Sequence, residues 1–136
     1  MSPDVTATAG VLLLTVTAVE FGGLSLLKLI ARRDPGYLDN PVRRYLFRAG
    51  HAHAGVFVIV ALIGLLYLEA AALPPLAKDV VRVSFVVAPI LMPLGFFLSV
   101  VSPNAERPNG LIALVYLGGL SLAIGAVGLG IGLVRA

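Results

Sequence analysis

Three ionisable side chains lie in or at the edge of apolar stretches of this sequence and are the best candidates for chemistry: Glu20, His51 and His53. A carboxyl group and an imidazole both exchange protons and bind cations. The chain has no cysteine, which excludes thiol chemistry, disulfides and zinc–thiolate sites. There is also no G-x-S-x-G turn and no phosphate-binding glycine loop. The sequence therefore favours proton or cation binding over enzymatic catalysis.

Glu20 lies about 16 residues into the first apolar stretch, near the middle of a membrane-spanning helix. A carboxylate at that depth costs several kcal/mol unless it is paired or protonated. Lys28 lies about 12 Å further along the helix, too far for direct pairing, and is expected to extend to the membrane interface. Glu20 is thus either a structural acid bonded to a neighbouring helix or an acid that binds protons and a ligand.

The two histidines lie in Arg48-Ala49-Gly50-His51-Ala52-His53-Ala54-Gly55, at the start of the second apolar stretch. Residues two apart on a regular helix point about 200° apart, so His51 and His53 can chelate one ion only if this segment is extended. Otherwise the rings serve different partners, such as loop carbonyls at the interface. A transition-metal site at the two histidines, or a haem ligated by one of them and by a second subunit, is an open alternative.

Other polar groups are expected near the histidines. Lys28 and Tyr116 lie at the same depth in the membrane as His53, which predicts a polar cluster on that half of the bundle. The loop from Ser102 to Gly110 faces the same side. Its Glu106 and Arg107 would form a ligand gate with the histidines, unless the loop is only a well-capped turn with Asn109 at the start of the last helix.

Four apolar stretches are each long enough to cross a hydrocarbon layer about 30 Å thick. They predict helices over about 5–31, 49–72, 80–101 and 110–134. With 59% hydrophobic and 12% charged residues, the chain of 136 residues needs lipid as its solvent. The predicted fold is all-α: one integral membrane domain over 1–136, built as an antiparallel bundle of four transmembrane helices.

Lysine and arginine are unevenly distributed between the two ends of the spans. In or beside the first and third loops lie Lys28, Arg32, Arg33, Arg43, Arg44, Arg48 and Arg107; on the opposite side lie Lys78, Arg82 and Arg135. The positive-inside rule then predicts that these two loops are cytoplasmic and both termini are outside, in the inner (plasma) membrane. Because the basic residues flank apolar spans, no nucleic-acid partner is expected.

Small residues form a narrow stripe along the last apolar stretch: Gly118, Ser121, Gly125, Gly128 and Gly132. Their spacings of three and four place them on one face of a helix. Such a stripe lets two helix backbones approach closely in lipid, where van der Waals packing drives association. It predicts either packing within the four-helix bundle or the interface of a homo-oligomer.

The segment Glu20-Phe21-Gly22-Gly23-Leu24-Ser25-Leu26-Leu27-Lys28 resembles the first helix of small multidrug resistance transporters. Glu20, Gly23, Leu26 and Lys28 match that pattern over about nine residues. The resemblance implies a four-helix protein that works as a dimer and whose first-helix glutamate binds protons and cationic drugs in turn. The aromatic and glycine signature of the later helices of that family is missing, and the histidine pair is foreign to it.

Two further motifs, Gly50-His51-Ala52-His53-Ala54-Gly55 and Ser102-Pro103-Asn104-Ala105-Glu106-Arg107-Pro108-Asn109-Gly110, resemble those of small bacterial four-helix membrane proteins of unassigned function. That resemblance implies a fold and no activity. The leading hypothesis is an intramembrane polar site, around Glu20 and the histidines, that binds or moves a proton, an ion or a small solute. The alternatives are a metal- or haem-binding membrane subunit and a structural or accessory subunit.

Overall fold

Helices, joined by loops, are the only regular secondary structure in the part of the chain that the computed structural model describes, residues 2–136. The helices are α1 (Pro3–Ala31), the short α2 (Pro35–Leu38), α3 (Pro41–Leu68), α4 (Pro75–Leu98) and α5 (Ala113–Val134), with a single 3₁₀ turn (Gly110–Ile112) before α5. The four long helices are each long and apolar enough to cross a membrane. The prediction of an all-α, four-helix membrane protein is confirmed.

Two helices begin earlier than predicted from apolar residues alone. The helix expected to begin near residue 49 begins at Pro41, because the Asn40 side chain accepts a hydrogen bond from the backbone N–H of Arg43 and caps it. Proline is favoured in a first turn because its missing N–H has no helical partner there. The helix expected near residue 80 begins at Pro75, which is likewise a first-turn proline, although no side chain caps this helix. The basic segment 41–48 is therefore continuous with the membrane span, as the first two turns of α3.

The long helices pack side by side in chain order, with α1 and α5 at opposite ends of the row. α4 makes extensive contact with α3 and α5, whereas α1 packs mainly on α3 and only touches α4. Within residues 2–136, α1 and α5 make no contact. The bundle is therefore open along the middle of α1, whereas Val5 and Leu12 from the first half of α1 join residues of α3, α4 and α5 in the hydrophobic core.

Glycines bring α4 and α5 together at backbone distance. A Cβ added to Gly118 of α5 would lie 2.7 Å from the backbone nitrogen of Met92, and one added to Gly95 of α4 would lie 2.7 Å from the backbone nitrogen of Val115. Nothing larger than hydrogen fits at either position. This reciprocal approach supplies the close van der Waals packing that holds helices together in lipid.

The small-residue stripe of α5 faces α4 of the same chain. Ser121 donates a hydrogen bond of 2.9 Å to the carbonyl oxygen of Ser84. The ring of Phe85 lies against Gly125 of the stripe and, on its other side, against Gly64 of α3. The structure therefore agrees with the first interpretation of the stripe, which is packing within one chain. Self-association remains a prediction, but a second chain would reach the stripe only by displacing α4.

The close contact of α4 with α5 leads to a prediction for a matched pair of substitutions. Gly118→Ala should lower the free energy of unfolding by about 1–3 kcal/mol, because the new methyl group meets the α4 backbone. Gly130→Ala, on the same helix with nothing within 4 Å of the added carbon, should be neutral or slightly stabilising. Denaturation in detergent, followed by circular dichroism, measures both. Equal losses of unfolding free energy in the two variants would show that the effect of Gly118→Ala does not come from the close contact between α4 and α5.

The orientation predicted from the basic loops is testable because the chain has no cysteine. We expect a membrane-impermeant maleimide to label Ala136→Cys in intact cells and Ser102→Cys only after permeabilisation. Both positions are exposed, so burial does not confound the labelling. The opposite pattern would reverse the orientation.

Candidate functional site

His51 lies where α3 crosses α1. A Cβ built on Gly23 would lie 3.0 Å from Cε1 and 3.1 Å from Nε2 of His51, and one on Gly22 would lie 3.6 Å from Nδ1. The imidazole thus occupies space that two glycines of α1 leave open. Neither ring nitrogen has a hydrogen-bond partner among residues 2–136, although the side chain is half-buried. It is positioned as an unused donor or acceptor inside the membrane span.

Two grooves meet at His51. The first, which we call the apolar groove, has a volume of about 310 Å³ and runs between α1, α3 and α4. Its lining includes Leu12, Val58, Pro89, Ile90 and Phe97, and His51 is its only ionisable residue. It exists because α1 makes so little contact with α4.

The second groove, which we call the Glu20 groove, lies on another side of α1 and also includes His51. Val16, Val19, Gly23 and Leu24 complete its lining. The Glu20 side chain is exposed, and its carboxyl group has no hydrogen bond or ion pair with any described residue. Glu20 lies within the first candidate membrane span, on a surface that the other described helices do not cover. Glu20 therefore shares a groove with His51.

His53 faces a different helix. Its Nδ1 lies 2.7 Å from the carbonyl oxygen of Ala49, and its ring packs against Phe57 of α3 and Phe96 of α4, with centroid distances of 5.4 and 5.2 Å. The segment is regular helix, so the extended geometry needed for both histidines to bind one ion is absent. Within the described chain no three His, Cys, Asp or Glu residues are placed to hold a metal ion. This geometry does not support a metal held by His51 and His53 of the same chain.

The polar cluster predicted around His53 does not form within one chain. Lys28 is exposed on α1 and Tyr116 is exposed on α5, and these two helices do not touch anywhere in the described residues. Equal depth in the membrane did not imply proximity, because the helices are arranged in a row. Sequence reasoning gave the depth of each residue but not the order of the helices.

Glu106 and Arg107 are both exposed in the loop between α4 and α5. Glu106 lines a surface groove together with Asp39 and Asn40 of the first loop, and that groove contains no histidine. A gate that joins Glu106 to the histidines is therefore not formed. Asn109 accepts a hydrogen bond from the backbone N–H of Leu111 and caps the turn that leads into α5, as predicted.

Arg43 and Asn40 join the two basic loops, a role that sequence reasoning missed. The Arg43 guanidinium donates to the carbonyl oxygens of Val100 and Gly36, at 3.1 and 2.9 Å. The Asn40 amide donates to the carbonyls of Pro103 and Ala105, at 3.1 and 2.9 Å. Their signal in the sequence was weak, because arginine and asparagine in a loop usually contact water.

The far end of α1 is held by a second set of polar contacts. The backbone N–H of Ser2 donates to Oε1 of Glu69 at 3.0 Å, and Lys78 donates to the Glu69 carbonyl oxygen at 2.9 Å. Hydrogen bonds from the Ser2 backbone, then from its hydroxyl group, lower the pKa of Glu69. Arg82, paired with Asp79, also reaches the Thr8 hydroxyl at 3.4 Å. α1 is thus attached at this end while the two grooves flank its middle.

Comparison with protein-family models, with curated proteins and with solved structures finds no match for this chain.

The contact between Ser2 and Glu69 should respond to acid. Because the folded-state pKa of Glu69 is lowered, the contact stabilises α1 fully above the ordinary carboxyl pKa and is lost as the pH falls through the lowered value. After correction for intrinsic rates, amide hydrogen exchange in the first turn of α1 should therefore accelerate below about pH 4. Glu69→Gln should remove most of this dependence. An unchanged response in that variant would assign the effect to another group.

Proposed function

We propose that this small multi-pass membrane protein binds a lipophilic cation from the hydrocarbon phase and moves it across the inner membrane in exchange for a proton held by Glu20. The observation that carries the proposal is the Glu20 carboxyl group. It is exposed to lipid and has no partner within residues 2–136. A carboxylate cannot stay unpaired there at low cost. It needs either a proton or a cation.

Charge balance favours exchange at this position. With a proton on Glu20, or with a cation against its carboxylate, the net charge of the pair is zero. Attraction between opposite charges is also stronger in a medium of low dielectric constant than in water. One carboxyl group that alternates between these two neutral states couples release of a proton to binding of the cation.

The apolar groove provides space for the rest of such a solute. Its volume of about 310 Å³ is at the small end of the range for ligand pockets, and its lining is almost entirely apolar. His51 borders both this groove and the Glu20 groove. We assign His51 the role of a side chain in the shared wall of the two grooves, against which the solute packs beside Glu20.

The resemblance of the first helix to small multidrug resistance transporters agrees with this assignment, because it matches at Glu20 itself. Gly23, one of the matching residues, lies against His51, which has no counterpart in the family pattern. A structural role for Glu20 would require a partner on a neighbouring helix, and none of the described residues provides one.

The test uses purified protein in liposomes with tetraphenylphosphonium as the probe. We expect binding of the probe to release protons, to weaken as the pH falls, and to support uptake driven by a pH gradient. Glu20→Gln should weaken binding at least about tenfold and abolish proton release. His51→Ala should weaken binding and leave proton release coupled to it.

Glu106→Gln serves as the control, since this carboxylate is exposed in a loop away from both histidine-lined grooves. It should behave as the unmodified protein. If the unmodified protein neither binds the probe nor releases protons, and Glu20→Gln alters only thermal unfolding, Glu20 has a structural role and the proposal fails.

A further inference from the structure

The excess positive charge of the chain is concentrated at the end of the bundle that carries the first and third loops. Seven lysines and arginines and three acids lie there, whereas the other end has three of each. The acids at the loop end are Asp34, Asp39 and Glu106, and those at the other end are Asp4, Glu69 and Asp79. The loop end therefore has more cations than its own acids can neutralise.

The structure divides six of these seven cations into two sets; the seventh, Arg107, is exposed in the loop between α4 and α5. Arg43 and Arg44 are used within the fold, because they donate to backbone carbonyls: Arg43 to Gly36 at 2.9 Å and Arg44 to Leu38 at 2.9 Å. The second set consists of Lys28, Arg32, Arg33 and Arg48. These four side chains are exposed, and they have no hydrogen bond or ion pair with any residue in 2–136.

The second set lies at the boundary between hydrocarbon and headgroups. Lys28 and Arg32 are one turn apart at the end of α1, next to the exposed apolar side chains of Leu27 and Ile30. Arg48 lies one turn before His51 on α3, close to where α3 crosses α1. An aromatic residue typical of membrane interfaces, Tyr45, is 63% exposed beside it.

We propose that Lys28, Arg32, Arg33 and Arg48 form a binding site for the phosphate headgroup of an anionic phospholipid. Guanidinium groups bind phosphate oxygens in a bidentate manner, and lysine adds a point charge. A phospholipid matches both the basic and the apolar side chains of this surface. Its phosphate binds the cations, while its acyl chains cover Leu27 and Ile30. A soluble phosphate would leave the apolar part uncovered. The proposal rests on this surface alone and is independent of Glu20.

The site can be tested in bilayers of phosphatidylcholine that contain spin-labelled lipid. The fraction of labelled lipid immobilised at the protein reports its relative affinity. We expect a preference for phosphatidylglycerol over phosphatidylcholine that falls with rising salt. Arg32→Gln/Arg48→Gln should reduce it by about fivefold for each arginine removed. Since these two side chains are exposed and form no hydrogen bond or ion pair with a described residue, the variant should keep the thermal stability of the unmodified protein in phosphatidylcholine.

Arg107→Gln/Arg135→Gln is the matched control, because it removes the same charge from exposed positions outside the site. It should keep most of the preference, and millimolar inorganic phosphate should not displace the labelled lipid. Equal losses in the two double variants would show that net charge alone attracts the lipid. Displacement by inorganic phosphate would assign the site to a soluble anion. Absence of any preference in the unmodified protein would also overturn the proposal.

Discussion

The close approach of the α4 and α5 backbones, made possible by Gly118 and Gly95, is the contact on which the rest of the bundle depends. In lipid there is no hydrophobic force between helices, so tight packing has to supply the attraction. Phe85 extends the same packing to α3, because its ring lies between Gly64 and Gly125. These three helices pack tightly on one another, and α1 joins their core only through its first half, with Val5 and Leu12.

The loose packing of α1 makes a functional site physically possible. Its two ends are attached, one through Glu69 and the other through the short connection to α2 and α3, but its middle leaves a groove beside α4. His51 enters this region because Gly22 and Gly23 have no side chains in its way. In this open arrangement the Glu20 carboxyl group stays exposed and shares a groove with His51.

The two arginine sets show how the same residue type takes different roles at one end of the protein. Arg43 binds carbonyl oxygens of the third loop and holds two loops together, so it belongs to the fold. Arg32 and Arg48 are exposed and form no hydrogen bond or ion pair with the described chain. Nothing in the local sequence separates these roles, because they depend on which carbonyls the tertiary structure brings near.

By itself, the sequence determined the membrane class, the number of spans, the small-residue face of α5 and the polar character of Glu20, because hydropathy and helical spacing are local properties. It placed the starts of α3 and α4 too late, since the Asn40 cap with Pro41 and the first-turn proline Pro75 start these helices before their apolar parts. Only the tertiary structure decided which helices are neighbours. That order separates Lys28 from Tyr116, directs the two histidines to different helices and places His51, rather than His53, beside Glu20. Which helices are neighbours depends on packing over the whole bundle, and the depth of a residue along its own helix does not determine it.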